Sequence, residues 1–299
     1  MRNLHVKYLF SGAAASLAML AAMPAVAQDQ DAVETAADAA EQQGFAPDTV
    51  YDDNWISIGF GVALGPSYDG SDDYVLSPAP LVQGKVAGVG ISPRPAGLAL
   101  DFIPDRSDGP NIAFGPSVRL RNDRADQIKD EVVKLAGKLD RAVELGVATG
   151  ISFPKVLNPY DSLSLNLDAR WDVAGAHDGM VIEPGVTYFT PLSRGTAASL
   201  SIGAEFVDDN YADYYYSVSP QQNLDSGLPE FSAKGGLNSV GTNLLLAFDL
   251  DGDLQNGGLA IVAVGGYSRL VGDAKDTPYT SIRGSADQFF GALGIGYTF

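Results

Sequence analysis

The chain has 299 residues, no cysteine, and 37 acidic groups against 19 basic ones, for a formal charge of −18. So acidic a chain lacks the basic face that displaces counterions from a nucleic acid. Without thiols it has no disulfide framework, thiolate metal site or cysteine nucleophile, and at 45% apolar residues it is too apolar for a disordered chain.

Residues 1–27 read as a secretory signal peptide. Arg2 and Lys7 supply the positive start, Leu9 to Met23 is an apolar, alanine-rich core, and Ala25-Val26-Ala27 is a small-x-small cleavage site. Cleavage there removes two basic groups and no acidic one; His5 also leaves, so His177 becomes the single histidine. No later stretch holds the roughly 18 consecutive apolar residues of a membrane-spanning helix. Residues 28–53 carry eight acidic groups and no basic one, and read as a mostly disordered acidic leader in the periplasm.

From Trp55 onward the pattern has period two. Ile56, Ile58, Phe60, Val62 and Leu64 alternate with Ser57, Gly59, Gly61, Ala63 and Gly65. The same alternation predicts twelve strands, at 54–65, 75–84, 85–92, 96–103, 111–121, 142–153, 161–174, 179–190, 196–207, 237–250, 257–270 and 285–299. A soluble sandwich and a membrane barrel both make one strand face apolar. Three features choose the barrel. The opposite face mixes Gly, Ser and Ala with charges, as a crowded lumen wall requires. The apolar faces run about ten residues without a charge, the length of a tilted spanning strand. The chain also ends on an aromatic residue with its last strand complete.

The fold class is therefore all-β, a transmembrane antiparallel β-barrel spanning 54–299, monomeric, in the outer membrane of a Gram-negative-type cell. An even strand number puts both termini in the periplasm. The outer loops then fall at 66–74, 93–95, 122–141, 175–178, 208–236 and 271–284. The segment 75–103 is the weak part, because Pro78, Pro80, Pro93 and Pro95 disfavour regular pairing there; ten strands is the alternative count. Within 122–141, Ile128, Val132, Leu135 and Leu139 recur at helix spacing and predict a short surface helix.

Eight charges fall on the inward phase of five consecutive strands: Arg119, Arg121, Glu144, Asp168, Arg170, Asp172, Glu183 and Glu205. They either set a field for solutes in a pore or form an ion-pair network that fills a narrow barrel, since confined charges need partners; the second reading is favoured. Tyr211, Tyr214, Tyr215 and Tyr216 cluster on the longest outer loop, as anchors for a partner or as a lid folded on the rim. Trp171, Tyr188 and Tyr297 suit the aromatic girdles. Catalysis is not expected: a lone His177 in an outer turn lacks a matching strand serine, and shapes the turn with Asp178. Asp69, Asp72 and Asp73, and Asp249, Asp251 and Asp253, lack full calcium-loop spacing and read as solvated turns, so neither metal nor cofactor is expected.

Several segments resemble the MipA/OmpV family of outer-membrane proteins. These are Gly65 to Tyr74 followed by Pro78-Ala-Pro80, Glu144-Leu-Gly146, Gly175 to Gly179, Tyr211 to Ser219, Ser226 to Leu228, Gly235 to Leu237, and Arg269 to Ala274 with Thr277-Pro278. The resemblance runs from about Trp55 to Phe299. The chain end also resembles the barrel-assembly signal, with Gly294, Tyr297 and Phe299 at the expected offsets and Ala292 departing from the usual polar residue. The resemblance implies two partners besides outer-membrane lipid: the barrel-assembly machinery, and periplasmic peptidoglycan enzymes. The implied role is a non-catalytic scaffold joining a lytic transglycosylase to a peptidoglycan synthase. A small-solute channel is the competing reading, and an adhesin acting through 208–236 is the third.

Overall fold

The computed structural model describes residues 49–106 and 109–299. The expected signal peptide and the expected leader up to residue 48 lie outside the described residues. The rest is a closed antiparallel barrel of twelve strands, each bonded to its sequence neighbours, with β1 closing on β12. In order they are β1 (Trp55–Pro66), β2 (Tyr74–Val86), β3 (Val89–Arg94), β4 (Gly97–Asp101), β5 (Asn111–Arg121), β6 (Ala142–Pro154), β7 (Ser162–Asp172), β8 (Met180–Ser193), β9 (Thr196–Val207), β10 (Gly236–Asp249), β11 (Gly258–Leu270) and β12 (Asp287–Thr298).

The alternation places the two faces. On β1, Ile58, Phe60, Val62 and Leu64 point outward and stay 46% to 61% exposed, while Ser57 and Ala63 on the other phase are buried. β12 repeats this with Leu293, Ile295 and Tyr297 outward. Such an apolar outer surface is costly in water and matches hydrocarbon. Closing the sheet pairs the strand edges along most of the wall, which hydrocarbon demands. No helix among the described residues is long and apolar enough to cross a membrane.

The connections sort by end. At the end where β1 starts and β12 finishes, the turns include Ala87-Gly88 and Arg194-Gly195; by the barrel rule this end is periplasmic. The opposite end carries the long loops, which fold into short helices: Glu131–Leu135, Asp209–Tyr216, Pro220–Ser226, Gly272–Asp276 and Pro278–Ser281. The helix expected near Ile128 to Leu139 is shorter than its apolar spacing suggests. The Asp130 carboxylate caps it, accepting from the Val132 and Val133 N–H groups at 2.9 Å, and Gly137 at φ +96° follows it. At the periplasmic mouth, residues 50–52 at the end of the expected leader form an ordered 3-10 turn. The Tyr51 hydroxyl donates to the Leu254 carbonyl at 2.9 Å, and its ring meets Trp55 edge-on at 4.8 Å.

The segment 75–103 does supply two strand pairs, with shifted boundaries. The expected break between 84 and 85 lies instead at Ala87-Gly88, where both residues have positive φ (+51° and +81°), the geometry of a two-residue hairpin turn. β3 and β4 then stop at Pro95-Ala96. The β2–β3 ladder holds only Gly84–Ile91, Lys85–Gly90 and Val86–Val89. Extending that register would set Pro93 against Val82 and Pro95 against Pro80, and proline has no N–H to donate.

An arginine at the outward-facing Leu293, near the middle of β12, is expected to cost about 2–4 kcal/mol. Urea titration of the barrel in liposomes, read by heat-modifiable gel migration, checks this. Arginine at the lumen-facing Ser164 should cost far less.

Candidate functional site

The outer half of the lumen holds one charged network. Strand register sets Arg119 beside Glu144, Glu144 beside Asp172, and Asp168 beside Glu183. Two carboxylates side by side repel unless cations intervene, and guanidiniums do so here. Arg170 Nη1 donates to Asp168 Oδ2 at 2.7 Å, and its Nη2 contacts Glu183. Arg119 Nη1 donates to Glu183 Oε1 at 2.8 Å and lies 3.4 Å from Glu205 Oε2. Arg121 joins Glu144 (Nε to Oε1, 2.7 Å) to Glu205 (Nη2 to Oε2, 2.9 Å). Gly146, opposite Arg170, lets the strands approach closely: a Cβ there would lie 1.9 Å from the Ala169 carbonyl oxygen.

Seven of the eight predicted lumen charges enter this network. Asp172 does not. It sits at the strand end and gathers the N–H groups of Ala176 (2.6 Å) and His177 (2.9 Å), closing the outer turn. In its place the network takes Arg94, which grips Asp168 with Nε at 2.7 Å and Nη2 at 3.2 Å. The sequence reading placed Arg94 in a loop. Charge balance held the missing signal: three arginines against five acids needed another cation. With Arg94 in and Asp172 out, four guanidiniums face four strand carboxylates (Glu144, Asp168, Glu183, Glu205), and Asp69 of the first outer loop adds a fifth at the rim, 3.7 Å from Arg121 Nη1. Asn238 also donates to Glu205 Oε1 at 2.8 Å.

His177 is buried. Its Nδ1 accepts the Gly179 N–H at 3.0 Å, and its Nε2 lies 3.4 Å from Glu144 Oε1. It thus ties the turn to the network, and no serine is among its partners in the described residues. No group of three or more His, Asp or Glu side chains there is arranged to hold a metal ion. Asp249 Oδ1 instead accepts the N–H groups of Asp251 (2.8 Å) and Gly252 (2.9 Å) within its turn.

The lid seals the network from outside. Tyr211, Tyr215 and Tyr216 are buried, and Arg121 lies 4.8 Å from the Tyr211 ring centroid. Burial pushes all three phenols well up. Tyr214 is half-buried at the edge of this cluster, its ring 5.0 Å from that of Tyr215 and its oxygen accepting the Asp140 N–H at 2.8 Å. Arg124 stacks 3.8 Å over the Tyr279 ring and donates to the Tyr215 carbonyl at 3.1 Å. Below the network, in the periplasmic half, a cavity of about 130 Å³ is lined by Gln83, Ser92, Arg94, Asp101, Asn111 and Asn166.

At the chain end, Tyr297 faces outward with its ring 4.6 Å from Phe299, and Gly294 lies on the lumen phase opposite Gly61. The Phe299 N–H donates to the Ile56 carbonyl at 2.9 Å, fastening the last residue to β1.

A closed antiparallel barrel of twelve strands with an apolar outer face and paired charges inside defines an outer-membrane β-barrel protein. The profile of the MltA-interacting protein MipA family matches residues 58–299, and the chain belongs to that family. Among curated proteins none matches it. Among solved structures it is distantly similar to the COG4313 outer membrane channel from Pseudomonas putida F1, at 14% identity and a TM-score of 0.42, covering 83% of this chain and 96% of that one. It is also similar to the outer membrane protein OprD from Pseudomonas aeruginosa, at 11% identity and a TM-score of 0.32, over 81% and 65% of the two chains.

Replacing Glu144 by alanine takes one carboxylate from the buried Arg121 and Arg170, which keep Glu205 and Asp168 respectively, and is expected to destabilise the barrel by up to about 3 kcal/mol in urea titrations. A second expectation concerns the lid. Burial, then the neighbouring Asp69 carboxylate, pushes the Asp123 carboxyl up to about 7. The folded lid thus favours the neutral form, so its stability is intact in acid and lost as pH rises through about 7. Hydrogen exchange across 122–141 should quicken over that range, and Asp123→Asn should flatten the dependence.

Proposed function

We propose that this protein is a non-catalytic outer-membrane adaptor that holds a peptidoglycan-remodelling enzyme at the periplasmic face of the barrel. The observation that carries the reading is the contrast between the two ends. The outer half of the lumen is filled by the paired charges and sealed by the lid, so the outer mouth offers no ready aqueous path. The inner mouth instead anchors the chain that leads back to the acidic leader. The Val50 N–H donates to the Gln255 carbonyl at 2.9 Å, and Tyr51 packs with Trp55, Phe189 and Leu254. This turn fixes where an acidic segment of roughly 20 residues enters the periplasm, a geometry suited to an exposed partner-binding peptide. The family's description as an MltA-interacting protein supports the same role, with a lytic transglycosylase as the expected partner and a peptidoglycan synthase as the second.

A channel is the alternative, favoured by the polar cavity in the inner half of the lumen. An adhesin using the loop tyrosines is disfavoured, because three of the four are buried.

Deleting residues 28–48 leaves the Tyr51 anchor in place. It is expected to abolish pulldown of the transglycosylase while heat-modifiable migration of the barrel persists. Undiminished pulldown would refute the leader as the docking segment. The adaptor reading also expects silence in planar bilayers, whereas stepwise conductance that shifts on Arg119→Gln would favour the channel.

A further inference from the structure

The wall of the barrel is uneven at one place. Ten of its strands run 11 to 14 residues, but β3 has six and β4 five. Because the β2–β3 turn lies at the periplasmic end, the hairpin falls short of the outer half of β2, while on its other flank its tip reaches the outer end of β5, where Gly97 pairs with Arg119. β2 pairs with β1 along its whole length. On its other edge the ladder ends at Gly84, so Tyr74 to Gln83 carry no ladder partner on β3.

An unpaired strand edge is costly in hydrocarbon, where each lone N–H lacks a partner. The sequence lowers that cost at this place. Pro78 and Pro80 share the two-residue phase of Gly84, whose partner is Ile91, and Pro93 shares the phase of Ile91. The donors that would face the gap from these positions are therefore absent from the chain. Leu76, on the same bank, is 66% exposed, more than any other large apolar strand residue in the described chain.

The lumen beside the gap is chemically unlike the wall that carries the ion pairs. β2 turns Val75, Ala79 and Leu81 inward, on the phase of Gln83 and Ser57. The inward residues of β1, β12 and β11 carry no charge; they include Ala63, Phe290, Ala292, Val262 and Val264. Phe290 stays 42% exposed although it faces the lumen, so open space adjoins it.

We propose that the seam between β2 and the β3–β4 hairpin is a lateral portal, through which an aliphatic chain from the outer leaflet reaches the uncharged wall of the lumen. The lid blocks the axial route from outside. The β4–β5 ladder also holds only three pairs, but backbone bonds flank it on both sides, from Phe102 N–H to the Phe114 carbonyl at 3.1 Å and from Leu120 N–H to the Ala96 carbonyl at 2.9 Å, so the opening lies at the seam. A hydrocarbon chain suits it because β2 beside the gap is uncharged and apolar on both sides but for Ser77 and Gln83 on the inner one, and the neighbouring charges are already paired. The chain belongs either to a bilayer lipid or to a free single-chain amphiphile.

The absence of native cysteine makes the test direct. Single cysteines at Ala79 (lumen side of the seam), Leu76 (lipid side) and Val264 (lumen side of the closed wall) are labelled with bimane in the full barrel in liposomes. Two quenchers are compared: phosphatidylcholine with dibrominated acyl chains, and bromododecanoic acid added to unbrominated liposomes. Quenching at Ala79→Cys is expected to approach that at Leu76→Cys and to exceed that at Val264→Cys several-fold. Quenching by the brominated lipid identifies a bilayer chain as the occupant; quenching by the free acid alone identifies a single-chain amphiphile. Ala79→Cys quenched no more than Val264→Cys by either agent overturns the portal. If Ala79→Cys loses heat-modifiable migration, Ser77→Cys, on the same phase, takes its place. Failure here leaves the adaptor reading untouched, since docking at the periplasmic face does not need the seam.

Discussion

A strand wall standing in hydrocarbon is the constraint on which the rest of this structure depends. Hydrocarbon solvates neither peptide groups nor charges, so the wall must close on itself and turn its apolar phase outward. Every ionised side chain within the span is then forced inward. There the charges sit in a narrow space with little water, where an unpaired one is costly. The network of Arg94, Arg119, Arg121 and Arg170 with Glu144, Asp168, Glu183 and Glu205 answers that demand, and its contacts cross six strands. The lid follows as well: Arg121 lies against Tyr211, so the outermost guanidinium is covered by an aromatic face rather than by open water.

Most of the barrel was legible because period-two alternation is a direct record of that constraint. Phe60, Leu165 and Leu293 report the lipid side as plainly in the sequence as in the fold. The lumen charges were legible for the same reason, being misfits on the polar phase. Asp172 was misassigned because phase alone does not separate a side chain inside the tube from one closing a turn at its rim. Arg94 was missed because the prolines on both sides of it argue for a loop, while its side chain belongs to the network.

The lid was legible only in part. The helix Pro220–Ser226 carries a capping box, with Ser219 and Gln222 satisfying each other's backbone, proline at its start and Gly227 at φ +75° after its end. Those signals stand in the sequence, but without a long apolar stripe they do not announce themselves against loop composition. The burial of Tyr211, Tyr215 and Tyr216 was not legible at all. It depends on loops that meet only when the barrel brings them together, as when Thr277 Oγ1 donates to the Tyr216 carbonyl at 2.6 Å.

The junction of β1 with β12 has a kinetic consequence. Ser57 and Thr298 meet hydroxyl to hydroxyl at 2.6 Å across 241 residues of sequence, and Tyr51 reaches Leu254 across 203. Contacts so remote in sequence form late, because so much chain entropy must be surrendered before they are rewarded. The first strand therefore keeps a raw edge until the last is in place, and throughout that interval the greasy phase of every strand is open to aggregation.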